Sequence, residues 1–217
     1  MTTLDTPNQA AAIVADPAPE PAPAANPLAG NPGMVGLPVA ISGATGLVLV
    51  NAGWFPDGAL AGTLSILFAC TSIGMLIATI WSAALAQNPA ASIYGAFFGF
   101  YASYTALVIG LQHNWFGETP DSGTAAITTW LVCFSVLFAV MTLTSLRLPF
   151  AFTFIIAAVE LALLVLLLGT VLGSTGIIRA GAACVAIFLG TAIYLYVDAM
   201  SRETGGDGLP LGRPLKS

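Results

Sequence analysis

The sequence predicts an all-α membrane protein built as a bundle of six transmembrane helices. Of its 217 residues, 57% are hydrophobic and only 7% are charged. With a mean hydropathy of +0.91, the chain has too few polar side chains to cover a soluble globule of this size. Six apolar runs are each long enough to cross a hydrocarbon core about 30 Å thick.

The chain divides into a tail, a helical domain and a second tail. Residues 1–30 are rich in Ala and Pro and lack the basic start and apolar core of a signal peptide, which predicts a disordered cytoplasmic tail. Residues 31–200 form the transmembrane domain, and residues 201–217 form a cytoplasmic C-terminal tail. The spans are predicted at 34–53, 59–85, 90–111, 124–146, 149–172 and 177–199.

Two Asn-Pro pairs mark the starts of helices. Asn31-Pro32 precedes the first span, where Asn can accept hydrogen bonds from free amides and Pro fits the first turn. Asn88-Pro89 repeats the arrangement before the third span. Pro38, inside the first span, is expected to kink or delay that helix.

The distribution of cations predicts the orientation. Four of the five cations lie on the side of both termini, so the positive-inside rule puts both termini in the cytoplasm of a multi-pass protein of the inner cell membrane. Trp54, Trp115 and Trp130 then fall near the outer boundary and Trp81 near the inner one, where Trp is enriched. The four cations are Arg147, Arg202, Arg213 and Lys216, and the fifth is Arg179.

Small residues recur at four-residue spacing along three spans. Lipid is as apolar as the helices themselves, so the hydrophobic effect does not drive membrane helices together. Small residues instead allow the close contacts by which such helices associate. The pattern fits packing within one protomer and packing between subunits equally well. The stripes are Gly36, Ala40 and Ala44; Ala91, Gly95, Gly99 and Ser103; and Ala182, Ala186 and Gly190.

The third span carries an aromatic face. Its members follow the i, i+3, i+4 spacing of a helix and therefore share one side. Such a face can line a narrow pore, where the rings set the width and phenol groups replace the hydration shell of a solute. It can also form an aromatic seam in the core of the bundle, and the spacing leaves both interpretations open. The residues are Tyr94, Phe97, Phe98, Tyr101 and Tyr104.

Glu160 stands alone near the middle of the fifth span. A carboxylate at that depth needs water, a cation or a hydrogen-bond donor, so the side chain faces a pathway or stays protonated inside the bundle. Asp198 lies near the end of the sixth span, where interfacial water or Arg202, four residues on, can satisfy it. We therefore interpret Glu160 as a candidate proton-titrating or pore residue.

The sequence lacks the residues that several function classes require. The sequence contains no nucleophile–base constellation, metal-ligand cluster, phosphate-binding loop or dinucleotide fingerprint, so it predicts neither an enzyme nor a bound cofactor or metal. Cys70, Cys133 and Cys184 lie inside apolar runs and are interpreted as core residues. The net charge of −5 comes from tails and loops and does not indicate nucleic acid as a partner.

A co-linear set of short motifs resembles a known transport family. Asn31-Pro-Gly-Met-Val-Gly-Leu37 is similar to the NPAPLGL signature that opens the first helix of the acetate uptake transporter family, the succinate-acetate permeases. Asn51-Ala-Gly-Trp-Phe55 resembles the NVGYF at the end of that helix, and Phe100-Tyr-Ala-Ser-Tyr104 continues the likeness on the third. The set closes with Ala192-Ile-Tyr-Leu195 and Gly208-Leu-Pro-Leu-Gly212, which is similar to the family's VLPIG ending.

The resemblance implies a homo-hexamer in which each protomer holds its own pore for a small mono- or dicarboxylate. In the family, two aromatic residues and a leucine narrow the pore, and their positions correspond to Ala40, Tyr101 and Val159. Only Tyr101 keeps the residue type of the family, which implies a wider or differently placed constriction. The predicted substrate pathway comprises Asn31, which is the expected solute contact, together with Gly36, Leu37, Ala40, Tyr94, Tyr101, Tyr104, Val159 and Glu160.

Sequence and resemblance together predict a membrane channel or proton-coupled transporter for acetate or related small carboxylates. An ionised Glu160 would repel an anion about 4 Å away by roughly 4 kcal/mol, so its carboxyl is expected to be protonated when an anion passes. Two alternatives remain open, a pore for small neutral solutes such as urea, amides or ammonia, and a structural subunit of a membrane complex. The expected partners besides the solute are protons, the lipid bilayer and further copies of the chain.

Overall fold

The computed structural model describes residues 28–55, 59–115, 117 and 120–216, and these residues form six long helices. All six are long and apolar enough to cross a membrane, which confirms the predicted fold class. Most of the predicted N-terminal tail lies outside the described residues. The helices are α1 (Gly33–Ala52), α2 (Ala59–Ala84), α3 (Asn88–Gln112), α4 (Pro120–Thr144), α5 (Phe150–Val171) and α6 (Thr175–Glu203).

The six helices form a closed ring in chain order. Each helix packs against the next, and α6 packs against α1 to close the ring. Because the number of spans is even, α1 begins and α6 ends on the same side, here called the terminal end; the opposite side is called the far end. The buried core lies inside the ring and includes Ala44, Tyr101, Phe138, Ile156 and Ala192.

The first helix begins as its Asn-Pro pair predicts. Asn31 Oδ1 accepts a hydrogen bond from the Gly33 amide at 2.9 Å, which satisfies one of the free donors at the helix start. Pro38 lies inside α1 without ending it, since the helix continues to Ala52. The start of α1 is therefore fixed by the side chain of Asn31.

The second helix changes its hydrogen-bonding pattern in the middle. Residues 66–72 form a π-helical segment, a feature that often accompanies functional sites. At its end, Thr71 Oγ1 donates a hydrogen bond to the Val39 carbonyl of α1 at 3.1 Å. A Cβ at Gly43 would lie 2.6 Å from Thr71 Oγ1, so the absence of a side chain at Gly43 permits this close approach of α1 and α2.

Aromatic side chains hold α3 and α4 apart. The backbones of these two helices approach one another less closely than those of any other neighbouring pair in the ring. Phe100 of α3 packs against Trp130, Phe134 and Phe138 of α4, with ring centroids 4.8, 5.3 and 5.9 Å apart. The tilted and edge-to-face arrangements are those that aromatic pairs prefer. Part of the aromatic face of α3 therefore forms a core seam.

The chain after α6 folds back across the terminal end of the bundle. The Leu211 carbonyl accepts a hydrogen bond from the Ala151 amide of α5 at 2.9 Å. The Lys216 amide donates to the Leu146 carbonyl, in the turn between α4 and α5, at 3.0 Å. Residues 208–216, here called the C-terminal strap, therefore connect the end of α6 to the start of α5 and to the turn before it.

Asp198 fastens this strap to α6. Its buried Oδ1 accepts hydrogen bonds from the Leu209 amide at 2.6 Å and from Arg202 Nε at 2.9 Å. Hydrogen bonds to charged groups contribute about 1.5–3 kcal/mol, so we expect Asp198→Asn to weaken the attachment of the strap. Hydrogen–deuterium exchange should then be faster in the strap amides. Glu203→Gln at the exposed end of α6 is the control, and unchanged exchange in Asp198→Asn would contradict the assignment.

Candidate functional site

A cavity of about 220 Å³ lies inside the ring, between the middle of the bundle and its far end. At about 30 Å³ per molecule, this volume holds roughly seven waters. Every helix except α2 contributes to the wall. The lining residues are Leu47 and Asn51 of α1; Phe97, Phe100, Tyr101 and Tyr104 of α3; Ile127, Trp130 and Leu131 of α4; Val159, Ala162, Leu163, Leu166 and Thr170 of α5; and Ile178, Val185 and Phe188 of α6.

The wall of this cavity is uncharged in the part of the chain that the structure describes. Its polar groups are two phenols, one amide, one aliphatic hydroxyl and one indole. An anion inside would meet neutral donors only, and an unpaired charge is costly in an apolar enclosure. The wall therefore favours a small solute with an apolar part and one group that accepts hydrogen bonds.

Three of the five polar groups already donate to the protein. Asn51 Nδ2 and Thr170 Oγ1 each donate to a backbone carbonyl one turn earlier in their own helix, at 2.9 and 2.8 Å, and Trp130 Nε1 donates to a serine of α3. Among the described residues, the hydroxyls of Tyr101 and Tyr104 have no hydrogen-bond partner. The cavity thus offers two unengaged phenol donors to a solute.

Tyr101 is held rigidly by its neighbours on α3. It is 1% exposed, its ring stacks on Phe97 with centroids 6.1 Å apart, and Phe100 meets it edge-on at 5.0 Å. Phe97 in turn stacks on Phe188 of α6 at 5.5 Å. Because these aromatic contacts connect α3 to α6 across the bundle, the Tyr101 hydroxyl has a defined position in the cavity.

Trp130 faces the inside of the helix ring, and its predicted depth near the outer boundary stays a prediction. Its Nε1 donates to Ser103 Oγ at 2.8 Å, and its ring packs against Tyr104 with centroids 5.2 Å apart. Ser103 thus gives the indole N–H a hydrogen-bond partner inside the protein. Trp130 therefore positions Tyr104 within the cavity.

Tyr94 packs against the start of α1, closer to the terminal end than the cavity. A Cβ at Gly36 would lie 2.7 Å from Tyr94 Cδ1, and one at Gly33 would lie 3.2 Å from the Tyr94 hydroxyl. Asn31, which caps the Gly33 amide, lies beside this contact. We call Asn31, Gly33, Gly36 and Tyr94 the terminal constriction.

Glu160 is not part of the cavity wall, although its neighbour Val159 is. Its Oε2 is enclosed and has no hydrogen-bond partner among the described residues. Thr153, two turns earlier on the same edge of α5, donates to the Ser145 carbonyl at the end of α4 at 2.7 Å. This edge of α5 therefore faces α4, where Ser135 Oγ is likewise enclosed without a partner in the described chain.

The nine predicted pathway residues fall into four places. Three line the cavity, three belong to the terminal constriction, two pack in the core, and one lies at the edge of α5 that faces α4. Their roles in solute passage stay predictions. In that order they are Tyr101, Tyr104 and Val159; Asn31, Gly36 and Tyr94; Leu37 and Ala40; and Glu160.

Sequence reasoning missed the contributions of α4 and α6 to the cavity. Trp130 and Phe188 line this wall. Trp130 was interpreted as a boundary residue, and Phe188 was hidden among many apolar residues of similar type. Thr170 carries a side-chain hydroxyl in the fifth span, and that polarity was the one available signal for its position at the wall. The two unengaged phenols, by contrast, belong to the aromatic face that the spacing identified.

Comparison with known proteins relates this architecture to membrane transport. Residues 14–205 match the model of the GPR1/FUN34/yaaH family. A solved structure, described as that of the bacterial acetate channel SatP, is similar with a TM-score of 0.71 and 19% sequence identity. The match covers 84% of this chain and 99% of that one, and at this identity it shows a shared fold. The search of curated protein sequences found no match.

Proposed function

Because this chain belongs to the GPR1/FUN34/yaaH family, we propose that it is a membrane channel or transporter for acetate and related small carboxylates. The observation that carries the proposal is the uncharged cavity with two unengaged phenols, in a fold shared with a bacterial acetate channel. The methyl group would contact the apolar walls while the carboxyl oxygens accept hydrogen bonds from Tyr101 and Tyr104. This arrangement supports a conduit and not an enzyme.

The protonated acid fits this cavity better than the anion. A carboxylate would have hydrogen bonds but no cation, which leaves part of its desolvation cost uncompensated. Carboxyl groups of this kind titrate at a pH of about 4, so at higher pH the protonated fraction falls about tenfold per pH unit. Flux that is carried by the acid should therefore rise as the pH falls.

Glu160 is the residue that we propose couples protons to solute movement. Its enclosed Oε2 has no hydrogen-bond partner among the described residues, so an ionised carboxylate would carry a desolvation cost that a protonated carboxyl avoids. Its neighbour Val159 lines the cavity. A negative charge on Glu160 would therefore repel the carboxylate of a solute in the cavity through a protein interior of low dielectric constant. Protonation of Glu160 would thereby lower the barrier to an anion.

We also propose that the protein lies in the inner cell membrane as a homo-hexamer with both termini in the cytoplasm. Four of the five cations lie toward the terminal end, which supports this orientation by the positive-inside rule. The family resemblance supports the hexamer. Accessibility of single cysteines introduced at the two ends to an impermeant thiol reagent would test the orientation.

Labelled acetate uptake into proteoliposomes across a pH series tests the function. We expect wild-type flux to rise as the pH falls. Glu160→Gln should raise the flux at neutral pH and remove the part of the pH dependence that comes from Glu160, because glutamine cannot ionise. The part that comes from protonation of acetate itself should remain. Protein-free liposomes measure passive entry of the acid, and Glu203→Gln at the exposed end of α6 is the matched control.

The outcomes of this experiment separate the two parts of the proposal. Absence of protein-dependent acetate flux at every pH would contradict the proposed function. Wild-type flux with an unchanged pH profile in Glu160→Gln would overturn the coupling role and leave the conduit standing.

One further candidate is favoured by the lack of charge on the cavity wall, namely a pore for small neutral amides. Acetamide has nearly the shape of acetic acid but no acid proton, so it distinguishes the two. Uptake of labelled acetamide or urea without any uptake of acetate would select the neutral-solute pore.

A further inference from the structure

An apolar groove runs along the outside of the bundle between α5 and α6 at the terminal end. Phe150 and Phe154 of α5 form one side, Ile187 and Tyr194 of α6 form the other, and the C-terminal strap closes the groove at Leu211. Its volume is about 430 Å³. From Ile187 to Tyr194 the helix rises about 10 Å, one third of a hydrocarbon core about 30 Å thick. The groove thus spans the depth of the first part of a lipid acyl chain.

The C-terminal strap forms the closed end of this groove. The Pro210 carbonyl accepts a hydrogen bond from the Tyr194 hydroxyl at 2.8 Å, and the Leu211 carbonyl accepts one from the Ala151 amide. Gly212 lies directly against Phe150, where a Cβ would approach Phe150 Cβ to 2.8 Å. The end of the groove is therefore fixed to both helices.

Three cations gather beside this closed end. Arg213 follows Gly212, which lies on the groove wall. Lys216 lies beside Arg147, because its amide is hydrogen-bonded to the carbonyl of the residue before Arg147. Three of the five cations of the chain are therefore concentrated around the start of α5.

The protein does not neutralise these cations within the described part of the chain. The one ion pair found there joins Arg202 to Asp198. Leu215, which lies between Arg213 and Lys216 in sequence, is 61% exposed. Basic side chains beside an exposed apolar one are typical of a segment that lies at a membrane surface. The strap therefore presents free positive charge at the boundary of the lipid.

We propose that this groove binds an acyl chain of an anionic phospholipid whose phosphate is held by Arg213 and Lys216. The apolar walls match the chain, and the two basic side chains match the phosphate. A zwitterionic lipid carries the same chain, but the cation of its headgroup opposes binding to Arg213 and Lys216. The site should accordingly select lipids by headgroup charge.

Native mass spectrometry of the intact protein, exchanged into equal amounts of phosphatidylglycerol and phosphatidylcholine, tests this selection. Each basic side chain near an anionic headgroup contributes about fivefold, so two give a preference of about 25-fold. The double variant Arg213→Gln/Lys216→Gln should retain both lipids equally. Arg179→Gln at the far end is the matched control. Glycerol phosphate without acyl chains should not raise the melting temperature, which separates a lipid from a free phosphate.

Filling the groove provides a second and independent measurement. Gly190 lies on the groove wall, and no atom lies within 4 Å of the position that a Cβ would take. Leucine there extends from an unobstructed Cβ position on the groove wall and favours the helix, so the protein should fold while bound phosphatidylglycerol falls to background. Retention of the lipid with loss of oligomeric mass would show that the groove is an interface between copies. That result, or equal retention of both lipids by the wild type, would overturn the proposal.

Discussion

Replacing Tyr101 by phenylalanine should slow acetate flux by about tenfold to a hundredfold if the anion is the species that passes. The substitution keeps the ring and therefore the width of the cavity, and it removes one of the two unengaged donors. A hydrogen bond to a charged group contributes about 1.5–3 kcal/mol, whereas one to a neutral group contributes about 1 kcal/mol. If the protonated acid passes, the reduction should be only about fivefold. The size of the loss therefore reports the charge of the solute in the cavity.

Two companion variants make this measurement specific. Tyr104→Phe removes the other donor and should produce a loss of the same order. Tyr196→Phe makes the same chemical change on α6, outside the residues that line the cavity, and should leave the flux unchanged. Wild-type flux in both Tyr101→Phe and Tyr104→Phe would show that the phenols do not contact the solute.

Gly36→Ala should destabilise the protein by about 1–3 kcal/mol, the usual cost of forcing extra atoms into a packed site. A Cβ at Gly36 would overlap the Tyr94 ring, so the ring or the start of α1 must move. Because both residues belong to the terminal constriction, the same change should alter acetate flux. Reversible unfolding in detergent micelles measures the first effect, and proteoliposome uptake measures the second.

The control for Gly36→Ala is Gly99→Ala on α3. No atom lies within 4 Å of the Cβ position at Gly99, so alanine there should be neutral or stabilise by up to about 1 kcal/mol through helix propensity. In a Tyr94→Ala background, Gly36→Ala should lose most of its cost because the ring that it meets is gone. An undiminished cost in that background would mean that the strain arises elsewhere.

The six spans were predictable because the signal for each one lies in a continuous stretch of the sequence. A run of about 20 apolar residues specifies a membrane helix regardless of what it packs against. The cap at Asn31 was predictable for the same reason, since the residue acts on an amide two positions away. The helix spacing likewise identified Tyr101 and Tyr104 as members of one face.

The residues that line the cavity were harder to predict from the sequence, because these helices are apolar on almost every side. In a soluble protein the polar face identifies the buried one, but lipid and protein core both accept the same residues. The sequence therefore could not show that Val159 faces the cavity while Glu160, one residue on, lies outside its wall. The strap was hidden for another reason, because backbone groups of Leu209 and Leu211 make its contacts and every sequence has such groups.

The closure of the ring by α1 and α6 has a consequence for biosynthesis. The helix α1 obtains its last neighbour in the ring only when α6 has been synthesised. The carboxylate of Asp198 obtains its partner later still, because the Leu209 amide that satisfies it follows α6 in the chain. Until α6 and the strap have been synthesised, α1 and the carboxylate of Asp198 therefore depend on lipid, water or a chaperone for contacts that the folded protomer supplies itself.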